Sequence, residues 1–150
     1  MCSRVIKDPT VKAELQQQWA TVRALSQWSR GSVVGGGFGA VFINETPPES
    51  FYNLPLVLAY SALDHALTQF IVEGVFPCTN RKGHPCFNLG EKMKAAKNAP
   101  GLSWIDFDSV EKGRVARNDL AHRAKLASKN ECRAFIEAVE VEFRNWGLIS

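Results

Sequence analysis

Long apolar runs are missing from this chain of 150 residues. The opening residues, Met1-Cys2-Ser3-Arg4-Val5-Ile6, hold nothing long enough for a signal peptide. Nowhere does the sequence reach the roughly 18 uninterrupted apolar residues of a membrane span. Cysteine is sparse and irregular: Cys2, Cys78, Cys86 and Cys132 do not make the framework of a disulfide-stapled secreted domain. The expectation is a cytoplasmic protein with reduced thiols and no membrane partner. Cys78, His84 and Cys86 fall close together, but Cys-x5-His-x-Cys fits no common zinc spacing and lacks a fourth ligand. No metal and no cofactor are assigned. The run Gly35-Gly36-Gly37-Phe38-Gly39 lacks the Lys and Ser/Thr of a phosphate-binding P-loop, and no clear strand precedes it. Residues 31–50, which include Pro47-Pro48, therefore read as a mobile glycine-rich connection with a short β-like piece at 41–43.

What is present is a set of helical patterns. Asp8-Pro9 is a cap followed by proline at the first helical position. The helix it opens runs to about residue 29, with Leu15, Trp19, Val22, Leu25 and Trp28 toward the core. A second helix, about 54–73, is the hydrophobic centre through Leu56, Ala59, Tyr60, Leu63, Ala66, Leu67, Phe70 and Ile71. Asp64 sits at the border of its apolar side, where it could meet a cation from another helix. His65, beside it, is by default a satisfied helix histidine. Asn88 with Glu91 caps a short basic helix, and Ser128 with Glu131 forms a capping box for the last one. Between them, residues 106–126 form a helix with Asp106 or Asp108 as cap. The fold class is all-α: one domain, residues 1–150, built as an antiparallel bundle of four to five helices.

Net charge is only +3, but residues 112–133 hold seven basic side chains against Asp119 and Glu131. Such a surface suits a polyanion or is simply a solvated face. At about 100° per residue, Val110, Gly113, Ala116, Leu120 and Ala121 share the apolar side of the 106–126 helix, and Arg117 falls in its middle. A guanidinium facing inward needs a carboxylate, a phosphate or a protein surface. His122 lies about 140° round the cylinder from Arg117, beside Asn118. On an ideal helix the two cannot reach one atom, so either the helix distorts or two subunits assemble the site.

Arg117, the polar Asn118 after it, and His122 four positions further on resemble the Arg-x4–6-His signature of the HEPN family, the higher eukaryote and prokaryote nucleotide-binding domains. In helix order the resemblance covers about residues 9–146; only the hexamer Arg117-Asn118-Asp119-Leu120-Ala121-His122 is specific. It implies a helical bundle, a homodimer with two Arg/His sets in a shared cleft, and metal-independent cleavage of RNA, in a toxin or defence effector with a possible antitoxin protein. The catalytic residues would be Arg117, which holds phosphate, and His122, which carries protons, supported by Asn118 and by Asp64, the acidic residue on the earlier long helix that the resemblance pairs with Arg117. Some family toxins place a tyrosine two positions after the histidine, the target of a modifying antitoxin. This chain has Arg123 and Ala124 there, which puts that mode of control in doubt. The competing readings are a catalytically inactive HEPN module that binds RNA, nucleotide or a partner protein, and a helical bundle with a chance match.

Overall fold

Asp8 opens the first helix as expected: its carboxylate accepts from the amides of Thr10 at 2.9 Å and Val11 at 3.3 Å, two of the donors that a helix start leaves free. The structure, a computed structural model, describes residues 6–28, 30–34, 39, 41–45 and 47–150. Within them the elements are α1 (Pro9–Ser26), β1 (Arg30–Val34), β2 (Val41–Glu45), α2 (Asn53–Val72), α3 (Leu89–Lys97), α4 (Phe107–Arg123) and α5 (Lys129–Asn145), with a 3-10 turn at Glu49–Tyr52 before α2. The all-α bundle is the architecture.

Two expectations for the first third need correction. α1 stops at Ser26, so Trp28 falls beyond it, 45% exposed and tilted against Phe51. Residues 31–50 are not a plain connection. β1 and β2 pair antiparallel, with Arg30 opposite Glu45 and Val34 opposite Val41. The β-like piece at 41–43 is part of β2, while β1 was missed because its five residues include Gly31 and adjoin the glycine run. The run itself, Gly35-Gly36-Gly37-Phe38, lies outside the described residues.

α2 is the hub, packed against α1, α3, α4 and α5. By length and composition alone the 49–72 stretch is long and apolar enough to cross a bilayer, although Ser61, Asp64, His65, Thr68 and Gln69 interrupt its apolar residues. Here Leu56, Tyr60, Leu63, Leu67 and Phe70 are instead buried inside the bundle. Each contributes on the order of 1.5–3 kcal/mol by leaving water. Tyr60 also donates its hydroxyl to the Val110 carbonyl at 2.7 Å, which ties α2 to the first turns of α4. Gly113 lies directly under the Tyr60 side chain and beside Phe135 of α5. A Cβ there would fall 1.9 Å from Tyr60 Oη and 2.9 Å from Phe135 Cβ.

The start of α4 is fixed by a buried acid. Glu142 of α5 is fully buried, and its carboxylate accepts from the amides of Ile105 at 2.8 Å and Asp106 at 2.7 Å. Asp106 then caps α4 by accepting from the Ser109 amide and hydroxyl. Burial raises the Glu142 pKa above its ordinary value of 4.5, against the lowering pull of the two amides. The folded chain therefore holds this proton more tightly than the unfolded chain. Its contribution to stability is fully present below the ordinary glutamate range and is lost as pH rises through the folded value. Urea unfolding of wild type and Glu142→Gln should show this: the advantage of wild type over the variant should shrink as pH rises above the ordinary glutamate range. A constant difference would mean that Glu142 titrates alike in both states.

Candidate functional site

α4 carries the site, and its sequence explains the placement. Arg114, Asn118 and His122 recur every four residues and so form one stripe; Arg117 is its neighbour at the three-residue spacing. Arg114, Arg117, Asn118 and His122 line one cleft of about 360 Å³, and the opposite wall is Asn88, Leu89 and Gly90 at the start of α3. The helix ends just past His122, because Ala124 adopts a left-handed φ of 51°. The expected helix to residue 126 is thus three residues too long.

The inward orientation of Arg117 is corrected. Only Val110 and Gly113 of α4 are buried; Leu120 and Ala116 are half-buried and Ala121 is exposed. The apolar side therefore meets the core only in the first half of the helix. Arg117 is half-buried, and its guanidinium turns toward Asn118, with Nη1 donating to Oδ1 at 3.4 Å. That turn brings it round to the His122 side. The offset of about 140° between the backbone positions is bridged by a long side chain, so one chain brings both groups to one cleft.

The Asp64 assignment is also corrected. Its Oδ1 accepts from Lys92 Nζ at 2.7 Å, and Lys92 further donates to Thr68 Oγ1 at 3.0 Å. Asp64 does meet a cation from another helix, but it is the buried Lys92 of α3. A buried ammonium without a partner would be costly, and Lys92 reaches the border of α2 directly. Asp64 thus anchors the helix whose first turn walls the cleft, one step away from Arg117. His65 faces α1, with Nδ1 3.3 Å from Gln18 Oε1 and Nε2 3.8 Å from Glu14 Oε2. Asp119 faces a neighbouring groove with Lys112 and Lys125 rather than the cleft.

The two cleft arginines differ in charge balance. Arg114 pairs with Glu111, Nε donating to Oε2 at 2.8 Å, and the hydrogen bonds of this pair hold the Glu111 carboxyl below its usual range. Arg117 makes no ion pair among the described residues. It is the uncompensated charge of the cleft. α3 adds to it. Asn88 caps that helix by accepting from the Glu91 amide at 2.8 Å, and the helix start presents partial positive charge to the cleft. A Cβ on Gly90 would lie 3.1 Å from Arg114 Nη1, so the guanidinium rests on the first turn of α3.

Arg114 and the 88–90 turn were not among the expected site residues. The four-residue spacing of Arg114, Asn118 and His122 was the available signal for the first; nothing local announced the second. The preceding loop differs from expectation too. Cys78 and Cys86 form a disulfide, closing a hairpin in which Thr79 bridges to Pro85. These thiols are not free ligands, and His84 is exposed at the hairpin. Such a bond is typical of oxidising compartments, so the expectation of four reduced cysteines loses two of its members. Among the described residues, no group of three or more His, Cys, Asp or Glu side chains could hold a metal ion.

No family model matches the sequence, no curated protein matches it, and no solved structure matches the fold.

Proposed function

We propose that the chain is an endoribonuclease that cuts RNA by attack of the 2′-hydroxyl on the adjacent phosphate. The observation that carries this is Arg117: a half-buried guanidinium without a carboxylate, in one cleft with an exposed histidine. Phosphate is the anion that a planar guanidinium matches in charge and in donor geometry. Bound there, the scissile phosphate would neutralise Arg117, which also stabilises the charge that develops as the phosphorane forms. His122, in the same cleft, would transfer the proton, either from the 2′-hydroxyl or to the leaving 5′-oxygen. The Asn118 amide, next to both, orients the imidazole or binds a phosphate oxygen.

Homodimerisation belongs to the same proposal. Val115 and Leu126 are 46% and 55% exposed and share with the half-buried Phe135 a groove that Lys112, Asp119, Lys125 and Glu131 also line, exposed apolar side chains among charges of both signs that a second copy would cover. The single-chain cleft removes the geometric need for a partner to supply the second catalytic group.

Incubating the purified protein with total RNA in excess EDTA tests the reaction. Cleavage should persist, and the products should end in a 2′,3′-cyclic phosphate and a 5′-hydroxyl. Products with a 5′-phosphate, or loss of activity restored by a divalent ion, would refute this mechanism.

A further inference from the structure

Phe87 is 81% exposed, the highest value among the exposed large hydrophobic side chains of the described residues. Its two neighbours are both fixed. Cys86 is bonded to Cys78, with its amide donating to the Cys78 carbonyl at 3.3 Å. Asn88 is the N-cap of α3, and it lines the cleft with Leu89 and Gly90. The ring therefore projects into water from a short segment clamped at both ends, one residue from the wall of a cationic cleft. Arg81 and Lys82, at the tip of the same hairpin, are exposed as well. An exposed aromatic ring next in sequence to Asn88 of the cleft wall has an obvious complement: the flat face of an unpaired base.

We propose that Phe87 is the base-stacking residue of this cleft and selects single-stranded RNA, with a base adjoining the scissile phosphate lying on its ring. This rests on the ribonuclease reading above and adds the feature of the substrate that the phosphate contacts cannot supply. Arginine and histidine at a phosphate read charge, which paired and unpaired strands share. An aromatic face reads a base only where the base is unstacked from its neighbours. The clamp matters because the backbone that carries the ring is tied at Cys86 and Asn88, so little backbone freedom is lost on binding.

The probe is a 2′-O-methyl oligoribonucleotide, which lacks the attacking hydroxyl and stays intact. Its binding is followed by fluorescence anisotropy, single-stranded and as a duplex, at one fixed salt concentration. Wild type should prefer the single strand. Phe87→Ala should weaken single-strand binding about 5- to 150-fold, the loss expected for one stacked base, and leave duplex binding nearly unchanged. Phe87→Trp should restore binding, whereas Phe87→Leu, apolar but without a flat face, should not. If Phe87→Ala and Phe87→Leu bind like wild type while wild type cuts RNA, the stacking role is wrong and the ribonuclease reading stands. If binding depends on Phe87 but natural RNA is not cut, stacking stands and the ribonuclease reading falls. If wild type binds neither form, both are overturned. Should Phe87→Ala instead dissociate a dimer with binding intact, the ring is a protein contact and not a base platform.

Discussion

Replacing His122 by alanine should abolish RNA cleavage while the helical circular dichroism and the unfolding midpoint stay those of wild type. Positioned proton transfer contributes about 10²- to 10⁴-fold to a rate, so residual activity should lie at least two orders of magnitude down. The fold should tolerate the change because His122 is exposed, in the last turn of α4. Arg117→Ala should have an effect of similar size for a different reason: the phosphate loses its charged partner at the moment when charge develops. That variant strands no carboxylate, since Arg117 makes no ion pair among the described residues, so its loss should act on activity and little on stability. Arg117→Lys, which keeps the charge without the two-pronged geometry, should recover only part of the rate. Single-turnover cleavage of a short RNA measures all three. Wild-type rates in His122→Ala would replace the enzyme with a binding module.

Gly113→Ala should be the most damaging single methyl group that can be added to α4. In an ordinary helix interior the change would help by up to about 1 kcal/mol. Here the new Cβ would lie 1.9 Å from Tyr60 Oη and 2.7 Å from its Cζ, so α4 must move or the tyrosine must leave the Val110 carbonyl. Overpacking of this kind costs about 1–3 kcal/mol, and a lost buried hydrogen bond about 1 kcal/mol more. After the propensity gain, a net loss of about 1–3 kcal/mol corresponds to roughly 2–12 °C in Tm for a chain of this size. Tyr60→Phe removes the closest contact, so the double variant should lose less than the two single losses added together. Simple additivity in thermal unfolding would show that the close approach is not what Gly113 serves.

How much of this could be read beforehand follows from the range of each interaction. Asp8, Asn88, Asp106 and Ser128 act within three residues of themselves, and each caps the helix that its local sequence announced. The core side of α2 was legible because a long apolar stripe has few ways to be satisfied; of its expected residues only Ile71 is less than buried. In the cleft, the two expected catalytic side chains and Asn118 do come together. What failed was partner choice over distance. Asp64 had a cation to find, and nothing in periodicity separates Lys92 from Arg117 when both approach from other helices. The side of α4 bearing Leu120 and Ala121 reads as core by composition, yet the bundle ends before it and leaves those residues half-buried or exposed. Likewise, the Cys78–Cys86 bond joins residues whose spacing fits no familiar framework.

The two ends of α4 are secured very differently. Glu142, the Asp106 cap, Tyr60 and Gly113 all act on its first half, whereas the last turns end at left-handed Ala124 with little buried surface. Amide protons near Val110 should therefore exchange only through global unfolding, and those near His122 through local opening of the last turns. Ligand binding at this less buried end would draw on that difference: under the proposed function, any ordering that RNA would impose on residues 117–123 would be subtracted from its affinity, and a mutation that merely stiffened the end of α4 would tighten binding without adding a single contact.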